Sequence, residues 1–336
     1  MRYGLNLSYG LLFLAVSAGG QNQPCELDIP LNIVMPDVAL VRNMHQDGFI
    51  AHRGSEVFPI RSVNEDTAPR RIVVVVENGK NVNPGARKVE VSILGDIVKN
   101  ARAEDSFALL TAIGPRRELP FGAPRETLLS AIAELSSPAK GNGQGKSALD
   151  AVLEAAGSLQ PTQPGDSIIL FTMGPELGEA AYGRVGKTLV AAGIRLFGFQ
   201  LGRAYAGVYS VGVTPSPGGV LLPRATVDPN RQTMFDLPDE TGGFFLGENT
   251  EGDPQRSYQL SDERLRLLNK FGGQLYKGIV EYYRIRLASA TDDFAFDLND
   301  SLRQKFSKAH LIYPRKVPRC SPASTANPSP ANPTIK

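Results

Sequence analysis

The most prominent hydrophobic feature of the chain is an uninterrupted run of five β-branched residues, Ile72–Val76. Such a run lacks the alternation of a half-exposed strand. It is typical of a strand buried on both faces, as in the middle of a parallel sheet covered by helices. The polar segment Glu77–Asn81 follows directly, where the carboxyl end of that strand would lie. Because open α/β sheets bind ligands at the carboxyl ends of their strands, we expect function first at this segment.

From Arg70 onward, predicted strands alternate with predicted helices, which is the pattern of βαβ units. The pattern predicts further apolar strands at Ser106–Ile113, Ser167–Thr172 and Ile194–Leu201. Apolar residues at helical spacing predict helices between these strands, and a last amphipathic helix over Ser261–Gly278. The predicted fold class is therefore α/β, a doubly wound, mostly parallel sheet flanked by helices.

Strand-like segments lie on both sides of this α/β region. Residues 21–69 contain short strands and turns without a helical period, and residues 279–318 predict closing strands. We therefore expect an α/β domain over residues 70–278, with a small β addition built from both flanking segments. Residues 202–232 form a long insert rich in Gly, Pro and Ser, which is either functional or disordered. The Pro- and Ser-rich tail at 319–336 favours disorder.

The N-terminal segment has the pattern of an export signal. Arg2 precedes a short apolar run, Leu11–Val16, and small residues then suit a cleavage site after Ala18. The apolar run is too short to span a bilayer. A buried N-terminal helix is the alternative. The sequence predicts a signal peptide over residues 1–20, a periplasmic or extracellular location, and no stable membrane span.

The chain contains two cysteines, Cys25 and Cys320, near opposite ends of the expected mature protein. In an oxidising compartment such a pair can form a disulfide that ties the two ends together. Two unpaired thiols are the alternative, since sequence carries no geometry. We predict the disulfide.

Composition narrows the class of partner. Of the 336 residues, 42% are hydrophobic and 21% charged, which is ordinary for a globular protein. A formal net charge of +2 provides no electrostatic footprint for nucleic acid or an anionic membrane. Tryptophan is absent, so a platform for stacking on bases or sugars has little material. No nucleic-acid partner is expected.

Several segments of the chain occur together in one domain family. They are Gly145–Ala151, Ile168–Gly174, Ala191–Gly198 and Thr241–Gly243. In the order and spacing of these segments, from about Phe49 to Pro318, the chain resembles a von Willebrand factor type A (VWA) domain. More narrowly, it resembles the exported acidobacterial "VWFA-related" proteins. The resemblance implies a VWA/Rossmann-like fold and an exported, non-enzymatic module that binds a protein partner.

Members of the family usually carry a metal-ion-dependent adhesion site, in which side-chain oxygens hold magnesium. Its pattern is Asp-x-Ser-x-Ser after the first strand, a Thr from the second loop and an Asp after the fourth strand. Here Glu77 stands for the first Asp, Gly79 and Asn81 for the two Ser, Ser147 for the Thr and Met173 for the last Asp. A thioether is a poor magnesium ligand. The resemblance therefore implies a degenerate site without a cofactor; if a metal binds, its ligands are Glu77, Asn81 and Ser147.

Two further residues complete the predicted binding face. Lys80 lies between Glu77 and Asn81, and its ammonium group can supply the positive charge that the ion would have provided. A solvated lysine on a turn is the alternative. Glu176 follows Met173 in the same predicted loop. The candidate ligand-binding residues are Glu77, Gly79, Lys80, Asn81, Ser147, Met173 and Glu176.

The segment Gly141–Ser147 resembles a phosphate-binding loop. The full pattern requires a glycine where Lys140 stands, and it requires a preceding strand where this sequence predicts a helix. An anion can still rest on the first amides of the helix that begins after Ser147. Two alternatives to the metal-independent module therefore remain: a magnesium-dependent adhesion domain, and an anion- or nucleotide-binding enzyme that uses Gly141–Ser147.

Overall fold

The computed structural model describes residues 26–79, 84–114, 116–137, 146–172, 179–202, 220–221, 236–249, 262–288 and 294–317. Within these ranges the strands form three sheets, of seven, four and three strands. No helix in these ranges is long and apolar enough to cross a membrane.

The chain begins with strands and then alternates strands with helices. The strands are β1 (Glu26–Val34), β2 (Phe49–Arg53), β3 (Glu56–Phe58), β4 (Ile60–Asp66), β5 (Arg71–Glu77), β6 (Ser106–Ala112), β7 (Glu118–Leu119), β8 (Ser167–Thr172), β9 (Arg195–Gly202), β10 (Val220–Leu221), β11 (Phe245–Asn249), β12 (Tyr282–Ala288), β13 (Ala295–Leu298) and β14 (His310–Ile312). The helices are α1 (Pro84–Asn100), α2 (Arg125–Glu134), α3 (Ala148–Ser158), α4 (Glu179–Ala192), α5 (Asp236–Thr241), α6 (Asp262–Val280) and α7 (Asp300–Lys305). The regular alternation starts at β5.

The central sheet has the strand order β10-β11-β9-β8-β5-β6-β7. The five inner strands are parallel, and the two-residue strands β7 and β10 close the edges in antiparallel orientation. Among the parallel strands, chain order runs outward in both directions from β5, so the order reverses between β5 and β8. This confirms the predicted fold class, a doubly wound and mostly parallel sheet.

The central position of β5 explains its composition. Ile72, Val74 and Val76 are buried in one layer with α1, α2 and α6. Val73 and Val75 are buried in the other layer with α3 and α4. Both faces of the strand are therefore apolar, as the lack of alternation predicts. Burying each valine contributes about 1.5 to 2 kcal/mol, so this strand joins the two halves of the core.

The four-stranded sheet has the order β14-β1-β12-β4, and its pairs are antiparallel. It confirms the predicted β addition from both ends of the chain. A separate sheet, β13-β2-β3, was not predicted. The strand predicted from Ile279 begins only at Tyr282, because Ile279 and Val280 end helix α6, where both are buried in the core. The six-residue helices α5 and α7 are too short to show an apolar period and were also missed.

A buried charge cluster joins this addition to the central sheet. The Asp66 carboxylate accepts hydrogen bonds from Arg70 at 2.7 Å, from the Tyr282 hydroxyl at 3.1 Å and from Arg284. Burial alone would raise the pKa of Asp66, but the hydrogen bonds from Arg70 and Ala68 lower it to about 2. Asp66 therefore stays ionised and connects the end of β4 to β12 and to the segment before β5.

Several predicted segments lie outside the described residues. These are the signal peptide, most of the insert, the tail and both cysteines. The described part of the insert is β10, which pairs with β11. Nothing in the structure bears on the other segments, which stay predictions.

We expect Cys25 and Cys320 to form a disulfide in the exported protein. Cys25 directly precedes Glu26, and Cys320 lies three residues after Val317. Glu26 and Val317, the described residues nearest to the two cysteines, line the same cavity. Mass spectrometry of a non-reduced digest should find the linked peptides.

A matched variant tests the energetic effect of this bond. Cys25→Ser should lower the free energy of unfolding by about 2 to 4 kcal/mol, and reduction of the wild type should do the same. Two free thiols in the unfolded, non-reduced protein would contradict the prediction.

Candidate functional site

The strand order reverses between β5 and β8, which is where doubly wound sheets form a ligand crevice outside their carboxyl ends. Strand β5 ends at Glu77 and β8 ends at Thr172. The Thr172 hydroxyl donates a hydrogen bond of 2.7 Å to Oε1 of Glu77. Both residues are buried, with Glu77 5% exposed and Thr172 fully covered. The carboxylate is thus held across the crevice by the neighbouring strand.

Helix α1 places an arginine and a glutamate beneath Glu77. Arg87 donates to the backbone carbonyl of Glu77, and its Nη1 donates to Oε2 of Glu90 at 3.0 Å. Arg87 and Glu90 are both buried, and Oε1 of Glu90 has no hydrogen-bond partner. Burial raises the pKa of Glu90 to about 8; Arg87 opposes the rise and the charge of Glu77 adds to it. Glu90 therefore holds a proton at neutral pH.

The turn after β5 is fixed against the turn after β6. The amide of Asn78 donates to the Ala112 carbonyl at 2.7 Å, and the amide of Ile113 donates to the Lys146 carbonyl at 2.8 Å. Gly114 has φ +147°, and a Cβ there would lie 2.2 Å from the carbonyl oxygen of Asn78. Glycine is therefore required at this close approach. These bonds bring the segments after β5 and β6, and the one before α3, to the same edge.

Ile113 stands out at this edge. It is 37% exposed and has φ +49°, in the left-handed region that β-branched residues rarely adopt. Such a conformation costs about 1 to 3 kcal/mol and persists only where the surroundings impose it. Sequence reasoning missed this residue, because isoleucine at the end of an apolar strand predicts more strand and carries no signal for positive φ.

Ser147 begins helix α3 as its N-cap. Its Oγ accepts a hydrogen bond of 3.1 Å from the amide of Asp150 and donates one of 2.9 Å to the Asp150 carboxylate. The adjacent Lys146 pairs with Glu154 at 2.8 Å. The hydroxyl that stands for the threonine of the adhesion site is therefore engaged within its own helix.

The structure describes three of the seven predicted ligand-binding residues. Glu77 ends β5, Gly79 lies two residues later, and Ser147 precedes α3. Ile113 lies between Gly79, where a Cβ would be 3.0 Å from it, and Lys146, whose carbonyl accepts from its amide. Outside the described residues are Lys80, Asn81, Met173 and Glu176. Glycines 141, 143 and 145 of the phosphate-loop-like segment also lie outside them. Within the described part, no group of three His, Cys, Asp or Glu residues is placed to hold a metal.

No protein-family profile matches the chain, and no curated protein matches it. Solved structures with a similar fold include BatB from Bacteroides thetaiotaomicron, with 14% identity and a TM-score of 0.41 over 62% of this chain and 98% of that one. A von Willebrand factor type A protein from Catenulispora acidiphila has 12% identity and a TM-score of 0.42, over 77% and 51%. The SpRpn10 VWA domain has 16% identity and a TM-score of 0.35, over 41% and 78%.

These values describe similarity of fold and carry no functional information to this chain. The fold class rests on the chain's own strand order, with its reversal between β5 and β8. That order is the doubly wound arrangement of the VWA/Rossmann-like class that the sequence predicts. The fold is therefore an open, doubly wound α/β sheet.

Protonation of Glu90 predicts a specific pH dependence of stability. Between the ordinary pKa of 4.5 and the folded value of about 8, the folded state keeps a proton that the unfolded state releases. The contribution of Glu90 is therefore complete below pH 4.5 and is lost as pH rises toward about 8. The expected slope is up to about 1.4 kcal/mol per pH unit, and Glu90→Gln should remove it.

Urea unfolding between pH 5 and pH 8 measures this effect, with Glu126→Gln, an exposed acid on α2, as the control. The pH profile of the control should follow the wild type. Equal slopes for Glu90→Gln and the wild type would contradict the assignment.

Proposed function

We propose that this chain is an exported, non-enzymatic, VWA-like module that binds a protein partner through the carboxyl edge of its central sheet, without needing a metal ion. The observation that carries the proposal is Ile113, an exposed apolar side chain held in a strained conformation at that edge. Strained residues concentrate at functional sites, where the surrounding structure maintains them.

The surroundings of Ile113 support a protein ligand. A continuous network of ion pairs at 2.6 to 2.8 Å lies beside it, running from Lys146 through Glu154 and Arg116 to Glu118. All four side chains are at least partly exposed, so their pairing adds little stability. An apolar centre with a polar, charged rim is the usual anatomy of a protein–protein interface.

The hydrogen bonds of the predicted ligand atoms support binding without a metal. Magnesium requires near-octahedral coordination by oxygen ligands. Here the Glu77 carboxylate accepts from Thr172, and the Ser147 hydroxyl is shared with Asp150. Met173, where the family pattern has an aspartate, offers only a soft sulfur. An ion here would find one carboxylate instead of two, and the ligand atoms already carry these hydrogen bonds.

The hydrogen bonds of Ser147, the N-cap of α3, also argue against the nucleotide-binding alternative. A phosphate at the start of α3 would meet the Asp150 carboxylate, which already accepts from Ser147 in the first turn. The bound phosphate and the Asp150 carboxylate would both be negative and would repel each other. The proposal that the protein is exported rests on the N-terminal sequence pattern of residues 1–20.

Ile113→Asn tests the proposal by separating stability from binding. Asparagine tolerates positive φ, so relief of strain should offset the lost apolar contact and leave the free energy of unfolding within about 1 kcal/mol of the wild type. Loss of an interface anchor should weaken partner binding about tenfold or more. Val57→Asn is the matched control, because Val57 is also an exposed apolar residue but lies on β3.

The experiment compares the proteins captured by the wild type and both variants from the exported fraction of the source cells, with and without EDTA. We expect a partner that the wild type and Val57→Asn retain in EDTA and Ile113→Asn loses. Equal capture by all three would contradict the proposal. If the wild type loses its partner in EDTA and releases heat when titrated with magnesium, the result would favour the magnesium-dependent adhesion domain. Heat on titration with ATP would favour the nucleotide-binding enzyme.

A further inference from the structure

A cavity of about 510 Å³ lies at the opposite end of the central sheet from Glu77. It is lined by β1 and β12 of the four-stranded sheet and by the turns before β8 and β9. Its apolar lining residues include Leu27, Ile29, Leu189, Val190, Ile194 and Val317. Small-molecule sites are commonly about 300 to 1,000 Å³, largely apolar, and contain a few polar groups.

The cavity contains arginine charge that its hydrogen-bond acceptors do not neutralise. Arg195 and Arg284 line it, and Arg195 is almost wholly buried. The Arg195 guanidinium donates to the carbonyl oxygens of Gly242 and Gly278 and to the amide oxygen of Asn32. These acceptors are neutral, so the hydrogen bonds satisfy the donors without neutralising the charge.

A third guanidinium lies directly behind the cavity wall. The lining residue Gly165 has no side chain, and a Cβ there would lie 2.7 Å from Nη1 of Arg70. Nη1 and Nε of Arg70 are buried and have no hydrogen-bond partner. Arg70 and Arg195 each lie 4.7 Å from the ring centre of Tyr282. Of these three guanidinium groups, Arg70 and Arg284 share one carboxylate, that of Asp66.

The other acidic side chains around the cavity have basic partners. Glu26 and Asp28, which line the cavity, share one guanidinium, that of Arg286, at 3.8 and 2.9 Å. Glu240 pairs with Lys316 at the rim. The excess of positive charge therefore lies in the interior, beside apolar walls, where weak screening strengthens its field.

We propose that this cavity binds a small organic anion with an apolar body, by class an alkyl carboxylate. The carboxylate lies against Arg284, in the field of Arg195 and Arg70, and the alkyl chain lies along the apolar walls. The site is remote from the carboxyl edge and is independent of the protein-binding function proposed there.

Isothermal titration calorimetry with decanoate tests the proposal, with decyltrimethylammonium as a probe of equal chain length and opposite charge. We expect decanoate to bind one equivalent and the cation to give no saturable heat. Saturable binding of both probes with similar affinity, or no binding of decanoate, would overturn the proposal.

Two variants locate the binding. Val190→Trp fills the cavity from a partly exposed position on α4 and should weaken decanoate binding at least tenfold. Lys316→Gln leaves Glu240 without its lysine at the rim and should weaken binding about threefold to fivefold. Lys308→Gln removes an equal charge at an exposed position that does not line the cavity, and it should change nothing. Unchanged decanoate affinity in Lys316→Gln, whose exposed position makes misfolding no explanation, would place the anion elsewhere.

Discussion

The hydrogen bond from Thr172 to Glu77 joins the two strands between which the sheet reverses its order. It satisfies one oxygen of a buried carboxylate. A buried carboxylate without a donor would cost several kcal/mol, so the bond constrains how the carboxyl edge is arranged. The turns after β5 and β6 are then built on this edge, and Ile113 is held between them.

The elements that the sequence predicts well are those whose burial leaves a local signature. Ile72–Val76 lack alternation because helices cover both faces of β5, and that signature is visible in the residues alone. The extension of α6 to Val280 was missed because Ile279 and Val280 are β-branched and favour a strand by intrinsic propensity. Burial against the core places both residues in the helix, and burial depends on tertiary contacts that the local sequence does not show.

The candidate site is less accessible to sequence reasoning, for a physical reason. A family pattern points to Glu77 and Ser147, but their hydrogen-bond partners, Thr172 and Asp150, follow from side-chain geometry. Ile113 carries no local signal, since its positive φ is imposed by the Lys146 carbonyl and the turn after β5. The Asp66 cluster is equally hidden, because it joins residues separated by more than 200 positions.

A carboxyl edge that binds without a metal requires the Glu77 carboxylate to be engaged by Thr172 and not by an ion. A double-mutant cycle with Glu77→Gln and Thr172→Val, measured by urea unfolding with and without magnesium, tests this most directly. We predict a coupling of about 1 to 3 kcal/mol that magnesium leaves unchanged. A coupling near zero, or a wild-type protein that magnesium stabilises and Glu77→Gln does not, would contradict it.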